Sequence, residues 1–246
     1  MIKKFHDTHI HIDLYDDIDG IISEIEEKGI YTIAVTNLPI LYEKLSKKIQ
    51  SKYIRIALGF HPELLSEYSK YIPLMWEYLK NVKYIGEIGL DLKYKSADDR
   101  MKQIDFFQEL IFRCKSLPKK ILSVHSKGSE KEILSIISND YNGVVILHWY
   151  SGSLENLRKA IYNEYYFSIN FAMANSRRIE KYINLIPIEK LLIETDGPFV
   201  KLSNRPIRPK DVINTTALLA KLKGINTDRM QSILHKNFRN ILKSVN

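Results

Sequence analysis

The stretch Asp7-Thr8-His9-Ile10-His11 sets two imidazoles two residues apart, on one face of an extended strand, where they can chelate one divalent ion. An H-x-H pair alone is common and says little. In Gly86-Glu87-Ile88-Gly89-Leu90-Asp91, glycines flank the acidic Glu87 and permit close backbone approach. A buried carboxylate there would be prohibitive without a cation. His125 and His148 each end an apolar run, the second being Val144-Val145-Ile146-Leu147, and Asp196 follows another. Two histidines on each side of a shared Glu87, with Asp196 completing the first side, describe a binuclear metal centre. Two ions about 3.5–4 Å apart activate a water and stabilise the attacking and leaving oxygens of a phosphodiester. Asp196 is the expected acceptor or orienter of that water's proton, and Glu87 and Asp196 are the expected catalytic carboxylates. Mixed histidine and carboxylate ligation suits Zn²⁺ or Mn²⁺, and Mg²⁺ where carboxylates and water dominate.

These residues need a frame that gathers strand ends. Short apolar runs at 4–9, 30–36, 53–59, 83–88, 120–125, 143–148, 165–170 and 190–195 alternate with amphipathic helical stretches. Eight parallel strands close a barrel, so the predicted fold is α/β, a (β/α)8 TIM barrel of the metal-dependent hydrolase type, one domain over 1–246. A helix is expected from about 18 to 28, with Asp16 and Asp17 at its start, Ile18, Ile21, Ile22 and Ile25 as its stripe, and Gly29 ending it. The last helix is expected to begin at a Thr227 cap and to carry Met230, Ile233, Leu234, Phe238 and Ile241. His9, His11, Asn37, His61, Glu87, His125, His148, Asn170 and Asp196 fall at the C-terminal ends of the strands, and five of the seven histidines are among them. Active sites of such barrels are built at that end.

The remaining candidates are weaker. His61, in Gly59-Phe60-His61-Pro62, is read as a phosphate contact rather than a ligand, the alternative being a cap of the following helix. Lys127 either holds a phosphate or is a solvated loop lysine. Tyr150 and Trp149 are candidates to stack a base, or Trp149 packs on the barrel rim. His6 is expected to pack outward, out of phase with His9, and His235 to be a surface or packing residue. Cys114, the single cysteine, lies on the stripe Ile104, Phe107, Leu110, Ile111, Cys114, Leu117 and reads as core filler.

The 246 residues, 45% hydrophobic, are enough for a large core and argue against disorder. No apolar run approaches the roughly 20 residues of a membrane span. The first residues carry no signal-peptide core, and one cysteine excludes an internal disulfide, so a reducing cytoplasm is expected. The net charge of +8 favours a polyanionic partner, although a lysine-rich composition also follows from base composition alone.

In order along the chain, Asp7-Thr8-His9-Ile10-His11, Gly59-Phe60-His61-Pro62, Gly86 to Asp91, Val124-His125-Ser126, His148-Trp149-Tyr150-Ser151-Gly152 and Glu194-Thr195-Asp196-Gly197-Pro198 resemble the TatD-like deoxyribonucleases, a family of metal-dependent hydrolases on a (β/α)8 fold. Lys223-Gly224 and Asn237-Phe238-Arg239 resemble the family's closing helices. The resemblance implies metal ligands at His9, His11, Glu87, His125, His148 and Asp196, and a phosphate contact at His61. The chain departs from the family pattern at Lys127, where arginine is usual, at Trp149, where a small residue is usual, and in the loop 203–209. With its His148-Trp149-Tyr150 variant it is similar to TatD-like components of Qat-type anti-phage systems. The expectation is therefore a cytoplasmic hydrolase with two divalent ions (Zn, Mn or Mg) that cleaves DNA, single-stranded or from a 3′ end, with protein partners in a defence complex. The rivals are an amidohydrolase-like enzyme acting on a small phosphoester, lactone or amide, and a non-catalytic member of such a complex.

Overall fold

The computed structural model describes residues 5–91 and 96–245; Lys4, where the first strand was expected to begin, lies outside them. All eight strands are present: β1 (His6–Ile10), β2 (Tyr31–Ala34), β3 (Ile54–Ile56), β4 (Tyr84–Gly89), β5 (Ile121–His125), β6 (Val144–His148), β7 (Tyr166–Ile169) and β8 (Leu191–Ile193). They pair in parallel as β1-β2-β3 and β4-β5-β6-β7-β8. Hydrogen bonds at two seams complete the barrel. At the first, Leu58 N–H donates to Tyr84 O and Gly86 N–H to Leu58 O (3.0 and 2.9 Å). At the second, Asp196 N–H donates to His9 O (2.9 Å) and the Thr8 hydroxyl to Ile193 O (3.1 Å).

The strands are apolar on both faces because both faces are covered. Leu122, Val124, Val145, Leu147, Phe167 and Ile193 pack outward on the helical layer, whereas Ile33, Val35, Ala57, Ile121, Ile146 and Leu192 fill the interior with Phe238 and Ile241. Those last two belong to α10 (Thr227–Ser244), the C-terminal helix, whose buried face is Met230, Leu234, Phe238 and Ile241. That helix therefore plugs the floor of the barrel. At about 1.5–3 kcal/mol for each buried side chain it is a substantial share of the core. Its N-cap is Asn226, not Thr227: the Asn226 carboxamide accepts from Arg229 N–H at 2.8 Å.

The other helices are α1 (Ile18–Lys28), α2 (Pro39–Lys48), α3 (Ile72–Leu79), α4 (Ala97–Lys115), α5 (Glu130–Ile137), α6 (Leu154–Tyr162), α7 (Phe171–Ala174), α8 (Arg177–Leu185) and α9 (Val212–Leu222). Helix α1 matches its expected bounds, with Asp17 capping Gly20 N–H and Gly29 left-handed at φ 63°. Cys114 is buried on α4, and burial pushes its thiol up to about 12, as core filler requires. His6 does not point away from the barrel. It is buried, stacked on Phe238 at 4.6 Å, because an irregularity between Asp7 and Ile10 breaks the simple alternation of β1. No helix of the described residues is long and apolar enough to cross a membrane.

Candidate metal centre

His61 and Asp196 sit on loops past β3 and β8, beyond the apolar runs 53–59 and 190–195. Backbone bonds nonetheless hold both: His61 N–H donates to Asn37 O, and Asp196 N–H to His9 O (2.9 Å each). Asp196 has a φ of 49°, a conformation that a non-glycine residue keeps only where its surroundings over-determine it. Asp7 supplies much of that determination. Its carboxylate accepts from the His9 and Thr195 amides (3.2 and 3.0 Å) and from the Thr195 hydroxyl (2.5 Å), tying the His9-His11 strand to the Asp196 loop. Gly89, at φ 135°, lets β4 approach β5 so closely that a Cβ there would lie 2.0 Å from His125 O.

The side chains converge on Glu87, itself 3% exposed. Its Oε2 lies 3.5 Å from His9 Nε2 and 3.2 Å from His11 Nε2. Those two nitrogens are 3.3 Å apart and stand 3.8 and 3.7 Å from Asp196 Oδ1. Its Oε1 faces the other way, 2.8 Å from His125 Nδ1, 2.9 Å from His148 Nε2 and 3.5 Å from His61 Nε2. Four ligand atoms around a tetrahedral Zn²⁺ with bonds of about 2.0–2.1 Å must lie roughly 3.3–3.4 Å apart. The first group, at 3.2–3.8 Å, lies at or slightly beyond that spacing, and the ligand atoms of His9, His11 and Asp196 are close enough together to hold one ion. In the second group, His125 Nδ1 and His148 Nε2 each lie within hydrogen-bond distance of Glu87 Oε1.

Three of the rings are turned toward Glu87 by hydrogen-bond partners on their far nitrogens. His9 Nδ1 contacts Ser123 Oγ (2.8 Å), His125 Nε2 contacts Asp91 Oδ2 (3.1 Å), and His61 Nδ1 accepts from Glu63 N–H (3.2 Å). His148 Nδ1 lies 3.7 Å from Glu194 Oε1. Such outer contacts fix tautomer and orientation in metal sites. His61 thus caps the following turn through one nitrogen and faces the centre with the other. It stands close enough to Glu87 and His125 that the three could themselves hold an ion.

Electrostatics express the same crowding. Burial would raise the Glu87 carboxyl, but His61, His148, His11 and His125 hold it well below the usual carboxylate range. Burial works against a charged His148, yet Glu87 and Glu194 raise it well above an ordinary histidine. Burial, then the neighbouring His148, push His9 far down. Asp196 is raised well above a normal aspartate by burial, with His148 opposing and Glu194, Glu87 and Asp7 adding to it. A cluster with this many buried carboxylates and imidazoles is the chemistry of a cation site: the donor set fits divalent metal.

Above the centre is a cavity of about 470 Å³, with Lys127, Trp149 and Phe199 among its walls. Lys127, half exposed, has its Nζ 4.0 Å from Asp91 Oδ2. Tyr150 does not reach this space. It is 1% exposed, packs edge-on against Phe167, and donates its hydroxyl to Ser153 O (2.8 Å), so the expectation that it contacts substrate is corrected; the left-handed backbone at Trp149 (φ 40°) breaks the alternation of β6, burying Tyr150 and leaving Trp149 at the cavity. The arginines of the loop 203–209 are likewise engaged: Arg205 grips Asp211 through two bonds (2.7 and 2.9 Å), and Arg208 Nε donates to Glu24 (2.9 Å). Sequence reasoning overlooked Glu194, which is fully buried and accepts from Ser168 Oγ, Asn170 Nδ2 and Trp149 N–H. Its spacing of two from Asp196, like that of Asp7 from His9, was the available sign.

The chain is similar to known proteins over nearly its whole length. The chain is 27% identical to an uncharacterised metal-dependent hydrolase of Methanocaldococcus jannaschii, covering 95% of each. It is 21% identical to deoxyribonuclease TATDN3 of Homo sapiens, over 94% of this chain and 92% of that one. Among solved structures, a TatD homologue of Escherichia coli superposes with a TM-score of 0.81 at 22% identity, covering 98% of both chains. Residues 6–243 match the TatD related DNase family, and the chain belongs to that family.

Proposed function

We propose that this TatD-family hydrolase cleaves phosphodiester bonds in DNA with two divalent ions held on either side of Glu87. His9, His11 and Asp196 would hold one, and His125 and His148 the other. The observation that carries this reading is the division of the Glu87 oxygens, one directed at each group of nitrogens. When bound, such a pair would supply Lewis acidity and make an attacking water more acidic.

The chain's own residues do the rest. Asp196, beside the first group and exposed to the cavity, orients the water and accepts its proton. His61 has its Nδ1 occupied by Glu63 N–H, so its Nε2 carries the hydrogen and donates to a phosphate oxygen. Lys127 adds a positive charge at the rim, as a point charge rather than a bidentate clamp. The net charge of +8 favours approach of a polyanion. The centre lies at the base of the cavity, with His9, His11 and His148 at 0–6% exposure, which favours a single strand or a 3′ end over the middle of a duplex. Mixed donors favour Zn²⁺ or Mn²⁺. A place in an anti-phage complex rests on the His148-Trp149-Tyr150 resemblance alone, and cleavage is the reading proposed.

The test is metal analysis of purified protein with cleavage of end-labelled single- and double-stranded DNA. Chelator-sensitive cleavage, with DNA binding that weakens as salt rises, is expected. Full activity after exhaustive chelation refutes the metal mechanism. Salt-indifferent DNA binding with turnover of a neutral lactone or amide transfers the site to the small-molecule rival.

A further inference from the structure

Trp149 has a φ of 40°, a left-handed conformation that a bulky side chain adopts only when held there. What holds it is buried Glu194, which accepts the Trp149 N–H at 3.2 Å. The effect is that the indole, 37% exposed, stands up beside the metal cavity instead of joining the core. It forms a wall common to that cavity and to a second groove of about 830 Å³, and Lys127 and Ser151 also border both spaces. Met173 and Tyr182 contribute apolar surface to the groove, and Glu130 lies on its edge.

The composition of this groove selects its occupant. Among its described residues the one cation is Lys127, at the border with the metal cavity, while Glu130 adds a carboxylate, so a phosphate backbone gains less here than at the metal centre. A nucleobase gains more: a planar face for the indole, apolar surface beneath, and an edge for Glu130. The Glu130 side chain packs against Gly152, where a Cβ would lie 2.5 Å from Glu130 Cγ. A carboxylate accepts and cannot donate, so it pairs with the exocyclic amino group of cytosine, adenine or guanine, whereas thymine has no exocyclic amino group and offers only its ring N3–H.

We propose that this groove is a base subsite, in which the nucleobase flanking the cleaved bond stacks on Trp149 and presents an exocyclic amino group to Glu130. The inference rests on the DNA-cleaving reading above and adds a base preference to it.

The chain has two tryptophans, so Trp76→Phe leaves Trp149 as the sole indole reporter. Metal-loaded protein is titrated with cytosine and thymine dinucleotides joined by a cleavage-resistant methylphosphonate. The cytosine compound is expected to quench Trp149 emission and to bind several-fold tighter than the thymine one, a gap that Glu130→Gln removes. If Trp76→Phe fails to fold, the difference in emission between wild type and Trp149→Phe supplies the same signal. Trp149→Ala should raise KM for oligonucleotides by roughly 5- to 150-fold, the range of one base–aromatic stack, with Trp149→Phe recovering much of it. Quenching by a protein that cleaves no DNA sinks the nuclease reading and keeps a base subsite. DNA cleavage without quenching or base preference overturns the subsite.

Discussion

Replacing Glu87 by Gln changes one atom and tests the centre directly. Each carboxylate oxygen now serves one group of nitrogens: Oε2 at 3.2–3.5 Å from His11 and His9, and Oε1 at 2.8–2.9 Å from His125 and His148. A glutamine keeps one acceptor oxygen and turns an NH₂ toward the other group. That NH₂ donates and cannot ligate, so one site retains a neutral oxygen and the other loses its anionic partner. Removing one member of a buried charged pair costs about 3–5 kcal/mol, and each 1.4 kcal/mol is tenfold in affinity. The expectation is a fall of at least about 100-fold in affinity for one of two ions, with a smaller fall for the other. Equilibrium dialysis with elemental analysis should read two ions per wild-type chain and close to one per variant chain at limiting metal. Two ions bound by Glu87→Gln with wild-type affinities would show that Glu87 bridges nothing.

Asp196→Asn keeps the side-chain shape and one oxygen but loses basicity, and should cut kcat at saturating metal by at least about a hundredfold, the lower end of general-base contributions, with folding intact by circular dichroism. His61→Ala should slow DNA cleavage while metal content stays at the wild-type level; loss of an ion would make His61 a ligand of the second group, beside Glu87 and His125. Burial, with a smaller contribution from His235, lowers His6 from an ordinary 6.5 to about 3. The unfolded chain therefore takes up a proton that the folded chain refuses. Stability from this group is complete above pH 6.5 and declines as pH falls toward 3, by up to about 4–5 kcal/mol at 1.36 kcal/mol per unit. Chemical denaturation at pH 7, 5.5 and 4 should show a shallower acid loss in His6→Phe than in wild type, and equal slopes would discount His6.

The sequence alone determined the alternation of eight apolar runs with amphipathic helices, because parallel strands covered on both faces must be apolar throughout and their connections must be helical. It also determined that His9, His11, Glu87, His125, His148 and Asp196 stand at one end of those strands, since strand order and direction are enough to place a residue at a rim. Direction of side chains was less accessible. The irregularity in β1 turned His6 onto Phe238, and the left-handed turn at Trp149 sent the indole to the cavity while Tyr150 went to the core. Both depend on local backbone departures that no residue pattern announces. Only the tertiary structure could divide the two oxygens of Glu87 between two groups of nitrogens, for that division needs the closed barrel to bring β1, β4, β5 and β6 within 3–4 Å of one carboxylate. The supporting contacts of Asp7, Ser123, Asp91 and Glu194 were decided there as well, because each joins residues far apart in the chain whose proximity exists only once the barrel has closed.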